Sequence, residues 1–137
     1  MTDIHFPFEF EGFRLEEYGN DIRIRLLGET LDLSEKAKLV LIALVLAKGE
    51  ITKTRVLFNN FTLSKEAMDA DEAKGQEQRR TDTIAAVKAA IGDTQKAIQE
   101  CLRKLGRDPE AQIIEYVPKA GYRLSTENLR RLTLAAS

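Results

Sequence analysis

Amide and basic side chains recur along one predicted helix in the second half of the chain. Ile98, Cys101, Leu102 and Leu105 follow the three-and-four spacing of a buried helix face. The residues on the opposite, outward face are Gln95, Lys96, Gln99, Arg103 and Lys104. Glutamine can form two hydrogen bonds with an adenine edge, and arginine or lysine can bind guanine or phosphate. These residue types fit a nucleic-acid contact, and they also fit an ordinary solvated helix face.

A catalytic centre is not expected in this sequence. The one histidine, His5, and the one cysteine, Cys101, belong to different predicted elements. There is no glycine-rich phosphate loop and no HExxH or CxxC spacing. We therefore predict a protein that is not an enzyme and that holds no cofactor and no metal ion, with Cys101 acting as a small apolar residue.

Charge is divided unevenly along the 137 residues. Residues 1–78 hold ten Lys and Arg against fifteen Asp and Glu, whereas residues 79–137 hold eleven against seven. A polyanion would therefore meet the second part of the chain. The sequence has no apolar run long enough to span a membrane, no recognisable signal peptide and a single cysteine, which together predict a cytoplasmic protein.

The first third of the chain alternates between apolar and polar residues. The alternation extends from Ile4 to Leu33 and is broken by turn-forming residues at 11–12, 19–21 and 28–29. Because the side chains of a strand point alternately to its two faces, this pattern predicts three or four short antiparallel strands with one buried face.

Two helices are predicted to follow these strands. Ser34 is a suitable N-cap for the first, which is expected to run to about Lys48 and to end at Gly49. The second is expected to begin after Thr52 and to carry on one side Val56, Leu57 and Phe61.

The character of the sequence changes after the second helix. Residues 62–80 are rich in charged residues and predict a loop insertion with at most partial helix. Beyond it, an apolar stripe at helical spacing extends from Ile84 to Leu105, with Thr94 in its only polar position. The pair Gly92-Asp93 falls within this stripe, so the segment could form one long helix or two helices separated at this point. Two helices are favoured, because glycine in a helix interior costs about 1 kcal/mol relative to alanine.

A hairpin and a tail complete the chain. Residues 113–117 and 122–124 are predicted strands around a basic turn, and residues 126–137 form a tail with a marginal helix. Residues 1–125 are then one α+β domain, a winged helix-turn-helix with an N-terminal antiparallel sheet and a C-terminal β-hairpin wing. That arrangement can place one helix in the DNA major groove while the wing touches the flanking backbone.

Two segments resemble the OmpR/PhoB-type winged-helix effector domain, especially its ToxR/CadC-like branch. AIQECLRKLGRDP followed by IIEYVPKAGYRL is similar to the end of that domain, and LDLSEKAKLVLIALVLAKGEITKTRVL is similar to its first two helices. The resemblance covers residues 10–125 and implies a bacterial, sequence-specific transcription regulator that binds double-stranded DNA. It also implies that the helix at about 94–105 is the recognition helix. Lys119 and Arg123 of the wing, residues 113–124, would then contact phosphate or the minor groove.

The chain also departs from the family pattern. Leu102 stands where a basic residue is usual and Glu100 adds a negative charge, which alters the expected set of contacts. The 62–91 region is longer than the family's connection, which can touch RNA polymerase in relatives, so this region is a candidate polymerase contact. Neither a receiver domain nor a transmembrane segment is expected, and a homodimer through the 82–105 helix or the tail stays open.

A second hypothesis is a winged-helix module that binds a protein and does not bind DNA directly. The acidic first part of the chain, Glu100 and the leucine-bearing tail favour it. The basic helix, Lys119 and Arg123 favour DNA.

Overall fold

A computed structural model describes residues 6–19, 21–54, 56–57 and 76–135, with side chains described for all of these except 76–83 and 134–135. The strands are β1 (Phe8–Phe10), β2 (Phe13–Tyr18), β3 (Asp21–Leu26), β4 (Glu29–Thr30), β5 (Ile114–Val117) and β6 (Gly121–Leu124). The helices are α1 (Glu35–Leu46), α2 (Gln76–Lys104) and α3 (Thr126–Ala135). The predicted α+β class, N-terminal sheet and C-terminal hairpin are therefore confirmed. None of the helices in these ranges combines the length and apolar composition needed to cross a membrane.

The N-terminal sheet is antiparallel, with its strands in the order β1-β2-β3-β4. Phe13 pairs with Leu26 and Leu15 with Ile24 across β2 and β3, so these four side chains lie together on one face. All four are buried. The alternation in the sequence thus identified both the strands and their core-facing side.

Helix α1 begins as the sequence predicts. The hydroxyl of Ser34 accepts a hydrogen bond from the amide of Ala37 at 3.3 Å, which caps the first turn. The helix ends at Leu46, two residues earlier than expected, because Lys48 already takes a left-handed φ of 52° before Gly49 does so at 86°. The residues that α1 buries are Ala37, Val40, Leu41, Leu44 and Val45.

Helix α2 is continuous through Gly92-Asp93, so the favoured break at this point is wrong. The residues buried before and after the glycine are Val87, Ala90, Ile91, Ile98, Cys101 and Leu102. Because both halves of the helix bury the same face in one core, packing outweighs the cost of about 1 kcal/mol that glycine brings. Thr94 is also buried on this face, and its hydroxyl donates to the carbonyl of Ala90 at 2.7 Å.

The two ends of the predicted apolar stripe are less buried than expected. Ile84 is 49% exposed and Leu105 is half-buried. The helical spacing places both residues on the inward side, but α2 extends beyond the core at its N-terminal end. Periodicity predicts the direction of a side chain and not whether the core extends that far.

The segment between α1 and α2 is described only in part. The amides of Val56 and Leu57 bond to the carbonyl of Lys53, at 3.0 and 3.1 Å, which begins a helical turn where the second helix is predicted. Leu57 is buried but Val56 is 47% exposed, so the two do not share a buried side as predicted. Phe61 and most of the insertion predicted at 62–80 lie outside the described residues, whereas 76–80 belong to α2 and not to a loop.

Strands β5 and β6 form the predicted hairpin, in which Tyr116 is paired with Tyr122. Thr52 joins the free edge of β6: its amide donates to the carbonyl of Tyr122 at 2.8 Å and its carbonyl accepts from the amide of Tyr122 at 3.0 Å. The hairpin is therefore tied by two backbone hydrogen bonds to the residue that precedes the helical turn.

Residues predicted as a tail form α3, which completes the core. Leu129 and Leu132 are buried in the same cluster as the sheet and helix residues. Arg130 forms an ion pair with Glu11 at 3.2 Å, which links α3 to the turn between β1 and β2. The marginal helix expected from the sequence is stabilised by this packing, because a ten-residue helix has little stability alone.

Candidate nucleic-acid interface

The outward face of α2 carries the residues predicted to contact DNA. Exposed side chains on this face are Gln95, Lys96, Arg103 and Lys104, whereas Gln99 is half-buried. On the other side of the helix, Ile98 and Leu102 are buried in the core. The buried side fixes the helix to the domain, so its polar side is presented on a rigid element.

The cations of this face have no ion-pair partner in the described part of the chain. No carboxylate of that part lies within ion-pair distance of Lys96, Arg103 or Lys104. Their positive charge is therefore available to an anion from outside the protein.

The N-terminal sheet offers a contrast. Glu16 binds both Arg14 and Arg25, at 3.2 and 2.5 Å, and Arg14 also reaches Glu9 at 2.7 Å. The guanidinium of Arg23 lies 3.9 Å from the ring centroid of Tyr18. Arg23 and Arg25 lie on the face of the sheet opposite the buried Ile24 and Leu26, and Arg25 is already neutralised there by Glu16.

A shallow groove separates α2 from the segment that leads into β5. Gln95 and Gln99 form one wall, and Ala111 and Gln112 form the other, with Glu110 beside them. Glutamine amides can both donate and accept hydrogen bonds, so a polar partner could form hydrogen bonds in this groove. Because Gln99 is half-buried and Gln95 is exposed, Gln95 is the more accessible of the two amides.

The two basic residues of the wing differ in their surroundings. Lys119 lies in the turn between β5 and β6 with a left-handed φ of 65°, is exposed, and has no carboxylate within ion-pair distance among the described residues. Arg123 instead places its Nε 3.0 Å from Oε2 of Glu115. A phosphate would therefore have to compete with Glu115 for Arg123, whereas Lys119 is unpaired in this part of the chain.

Two wing residues were missed by the sequence reasoning. Glu115 holds Arg123, and Tyr116 is 61% exposed with its ring centroid 5.2 Å from that of Tyr122. Burial raises the pKa of the Tyr122 hydroxyl, and the neighbouring Tyr116 adds to this effect. The alternation of side chains along β5 and β6 places both tyrosines on the core-facing side of the hairpin. It does not predict how far along the hairpin the core extends. Cross-strand pairing of Glu115 with Arg123 was the signal available for the ion pair.

The predicted contact with RNA polymerase falls only partly on residues that the structure describes. Of the 62–91 region predicted to contact RNA polymerase, residues 62–75 lie outside the described chain, and the remainder belongs to α2. Compared with known proteins, the sequence matches no protein family, and it matches no curated protein either.

Proposed function

We propose that this chain is a winged-helix transcription regulator that binds duplex DNA, with α2 in the major groove and the β5–β6 hairpin on the flanking backbone. One observation carries the proposal: Lys96, Arg103 and Lys104 are exposed on α2 without a carboxylate partner in the described chain, while the opposite side of the helix is buried. DNA phosphates would supply the missing counter-charge, and Gln95 would be able to read a base edge.

The order of the elements supports the same proposal. Helix α1, the helical turn that begins at Lys53, α2 and the β5–β6 hairpin follow the order of a winged helix-turn-helix. The bonds between Thr52 and Tyr122 connect the hairpin to the helical part of the chain, so the wing is not an isolated hairpin. In such an arrangement Lys119 at the wing tip adds a backbone contact beside the helix.

A module that binds protein is the competing function. Glu100 and Glu115 favour it because they reduce the positive charge of the proposed DNA face. Leu129 and Leu132 count against it, because both are buried and cannot supply the docking surface that a free leucine-bearing tail would offer.

The proposal can be tested by titrating duplex DNA of random sequence with the chain at several salt concentrations. Each phosphate that the protein neutralises releases counterions, so the logarithm of the binding constant should fall linearly with the logarithm of the salt concentration, with a slope of about −0.9 per phosphate. Absence of binding by the wild-type chain at low salt would overturn the proposal and favour a protein partner.

Substitutions locate the contact. Arg103→Ala and Lys119→Ala should each weaken binding and reduce the slope by about 0.9. Thermal unfolding should be nearly unchanged, because both side chains are exposed. Arg131→Ala is the matched control, since Arg131 is an exposed cation of α3 paired with Glu127 at 2.8 Å, and it should leave DNA binding unaltered.

A further inference from the structure

Glu100 is a negative charge in the middle of the proposed DNA-binding face. With about 3.6 residues per turn, Lys96, Glu100 and Arg103 project within roughly 60° of one another, on the side of α2 opposite the buried Ile98. Glu100 is exposed there. A carboxylate in this position would repel phosphates, so it weakens the proposed interface unless it has a binding partner in the complex.

The positive residues around Glu100 do not neutralise it. Lys96 and Lys104 lie four residues before and after it, the spacing at which ion pairs form on a helix. Nevertheless, the ion pairs of the described residues include none to Glu100. Its carboxylate is therefore available to a hydrogen-bond donor approaching α2 from outside.

The major groove offers such a donor on few base edges. A carboxylate only accepts hydrogen bonds, and cytosine presents the N4 amino group, whereas guanine and thymine present acceptors at their O6, N7 and O4 atoms. Adenine presents a donor at N6 but beside the acceptor N7, which repels the second carboxylate oxygen. Cytosine is the base whose edge best fits Glu100.

We infer that Glu100 is a specificity-determining residue that accepts a hydrogen bond from the N4 amino group of a cytosine in the major groove. This inference rests on the proposed DNA-binding function. At the position it contacts, Glu100 selects a C·G pair and disfavours the others by roughly 5- to 150-fold, the range that one mismatched base pair in a binding site typically costs.

This inference can be tested by selecting bound duplexes from a random pool, once with the wild-type chain and once with Glu100→Gln. Glutamine has nearly the same shape but pairs with adenine through N6 and N7. The preferred base should therefore change from cytosine to adenine at one position, with the other positions unchanged. Two duplexes that differ only at that base pair should then be ranked oppositely by the two proteins: the wild type should bind the cytosine duplex more tightly, and Glu100→Gln the adenine duplex.

The control is Glu17→Gln, which removes the same charge from an exposed position of β2 and should leave the selected sequence unaltered. If Glu100→Gln raises the affinity for all duplexes equally and leaves the selected sequence as it is, Glu100 only repels phosphate and the inference is overturned. If the wild-type chain binds no duplex at low salt, the proposed function fails as well, and the inference fails with it.

Discussion

The Nε atom of Arg123 lies 3.0 Å from Oε2 of Glu115, and the strand register pairs the two residues directly across the wing. Both side chains are partly exposed, and an exposed ion pair of this kind typically contributes only about 0–1 kcal/mol to stability. Its main consequence is therefore electrostatic. The pair lowers the net positive charge of the hairpin that also carries Lys119, which has no ion-pair partner among the residues that the structure describes.

Glu115→Gln is expected to strengthen DNA binding. The substitution removes a charge that repels phosphate and releases Arg123, so the affinity for duplex DNA should rise several-fold at low salt. If Arg123 then reaches a phosphate, the salt dependence should become steeper by about 0.9. Titration at several salt concentrations measures both quantities.

The control for this prediction is Glu127→Gln, which breaks the comparable exposed pair with Arg131 on α3. It should change neither the affinity nor the slope. An unchanged affinity for Glu115→Gln would show that the wing does not approach the DNA backbone.

Gly121→Ala is expected to destabilise the protein. Gly121 has a φ of 145°, and a β-carbon added there would lie 2.8 Å from the carbonyl carbon of Thr52 and 2.9 Å from Cα of Lys53. Both are backbone atoms, so the contact cannot be relieved by a side-chain rotation. We expect a loss of about 1–3 kcal/mol beyond the cost of the unfavourable φ, because overpacked sites cost about that much.

Gly28→Ala separates the cost of the steric contact from the cost of the unfavourable φ. Gly28 also has a positive φ, at 90°, but a β-carbon there would meet no atom within 4 Å. Urea unfolding of both variants should show the larger loss for Gly121→Ala. Equal losses would mean that the chain around Thr52 can move away from β6, contrary to the tight pairing described.

Much of this fold could be predicted from local patterns. The alternation around Phe13 and Leu15 predicted the sheet, and Ser34 predicted the start of α1. The continuity of α2 could not be predicted, because it is decided by packing on both sides of Gly92 and not by the local helix propensity. In the candidate site, spacing predicted the outward direction of Lys96 and Arg103, whereas the neutralisation of Arg123 depended on a cross-strand neighbour.

Gly92→Ala is expected to stabilise the protein, because Gly92 lies inside a continuous helix. A β-carbon added there would meet no atom within 4 Å, and its φ is not in the left-handed region. Alanine lowers the conformational entropy of the unfolded chain and favours the helix, so the free energy of unfolding should increase by about 0.5–1 kcal/mol. Urea unfolding measures the change, and a decrease in stability would point to a bend at Gly92-Asp93.

Glu16 is expected to make the stability of the N-terminal sheet depend on pH. Arg14 and Arg25 are directly opposite each other in the register of β2 and β3, where two like charges repel, and the carboxylate of Glu16 binds both. Desolvation acts to raise the pKa of Glu16, but the hydrogen bonds and charges of Arg25 and Arg14 outweigh it and hold the pKa below its ordinary value of 4.5. The ionised form is thus favoured by folding.

A carboxyl group whose pKa is lowered by folding contributes stability above its unfolded pKa, and this contribution is lost as the pH falls through the folded value. The wild-type chain should therefore be more stable than Glu16→Gln at neutral pH, and the difference should shrink as the pH decreases below 4.5. Thermal unfolding of both proteins between neutral and acidic pH measures this. The control is Glu17→Gln, because Glu17 is the neighbouring residue and has no ion pair in the described chain. Its unfolding temperature should follow that of the wild type at every pH. If the unfolding temperature of Glu16→Gln also ran parallel to that of the wild type at every pH, the role of Glu16 between the two arginines would be contradicted.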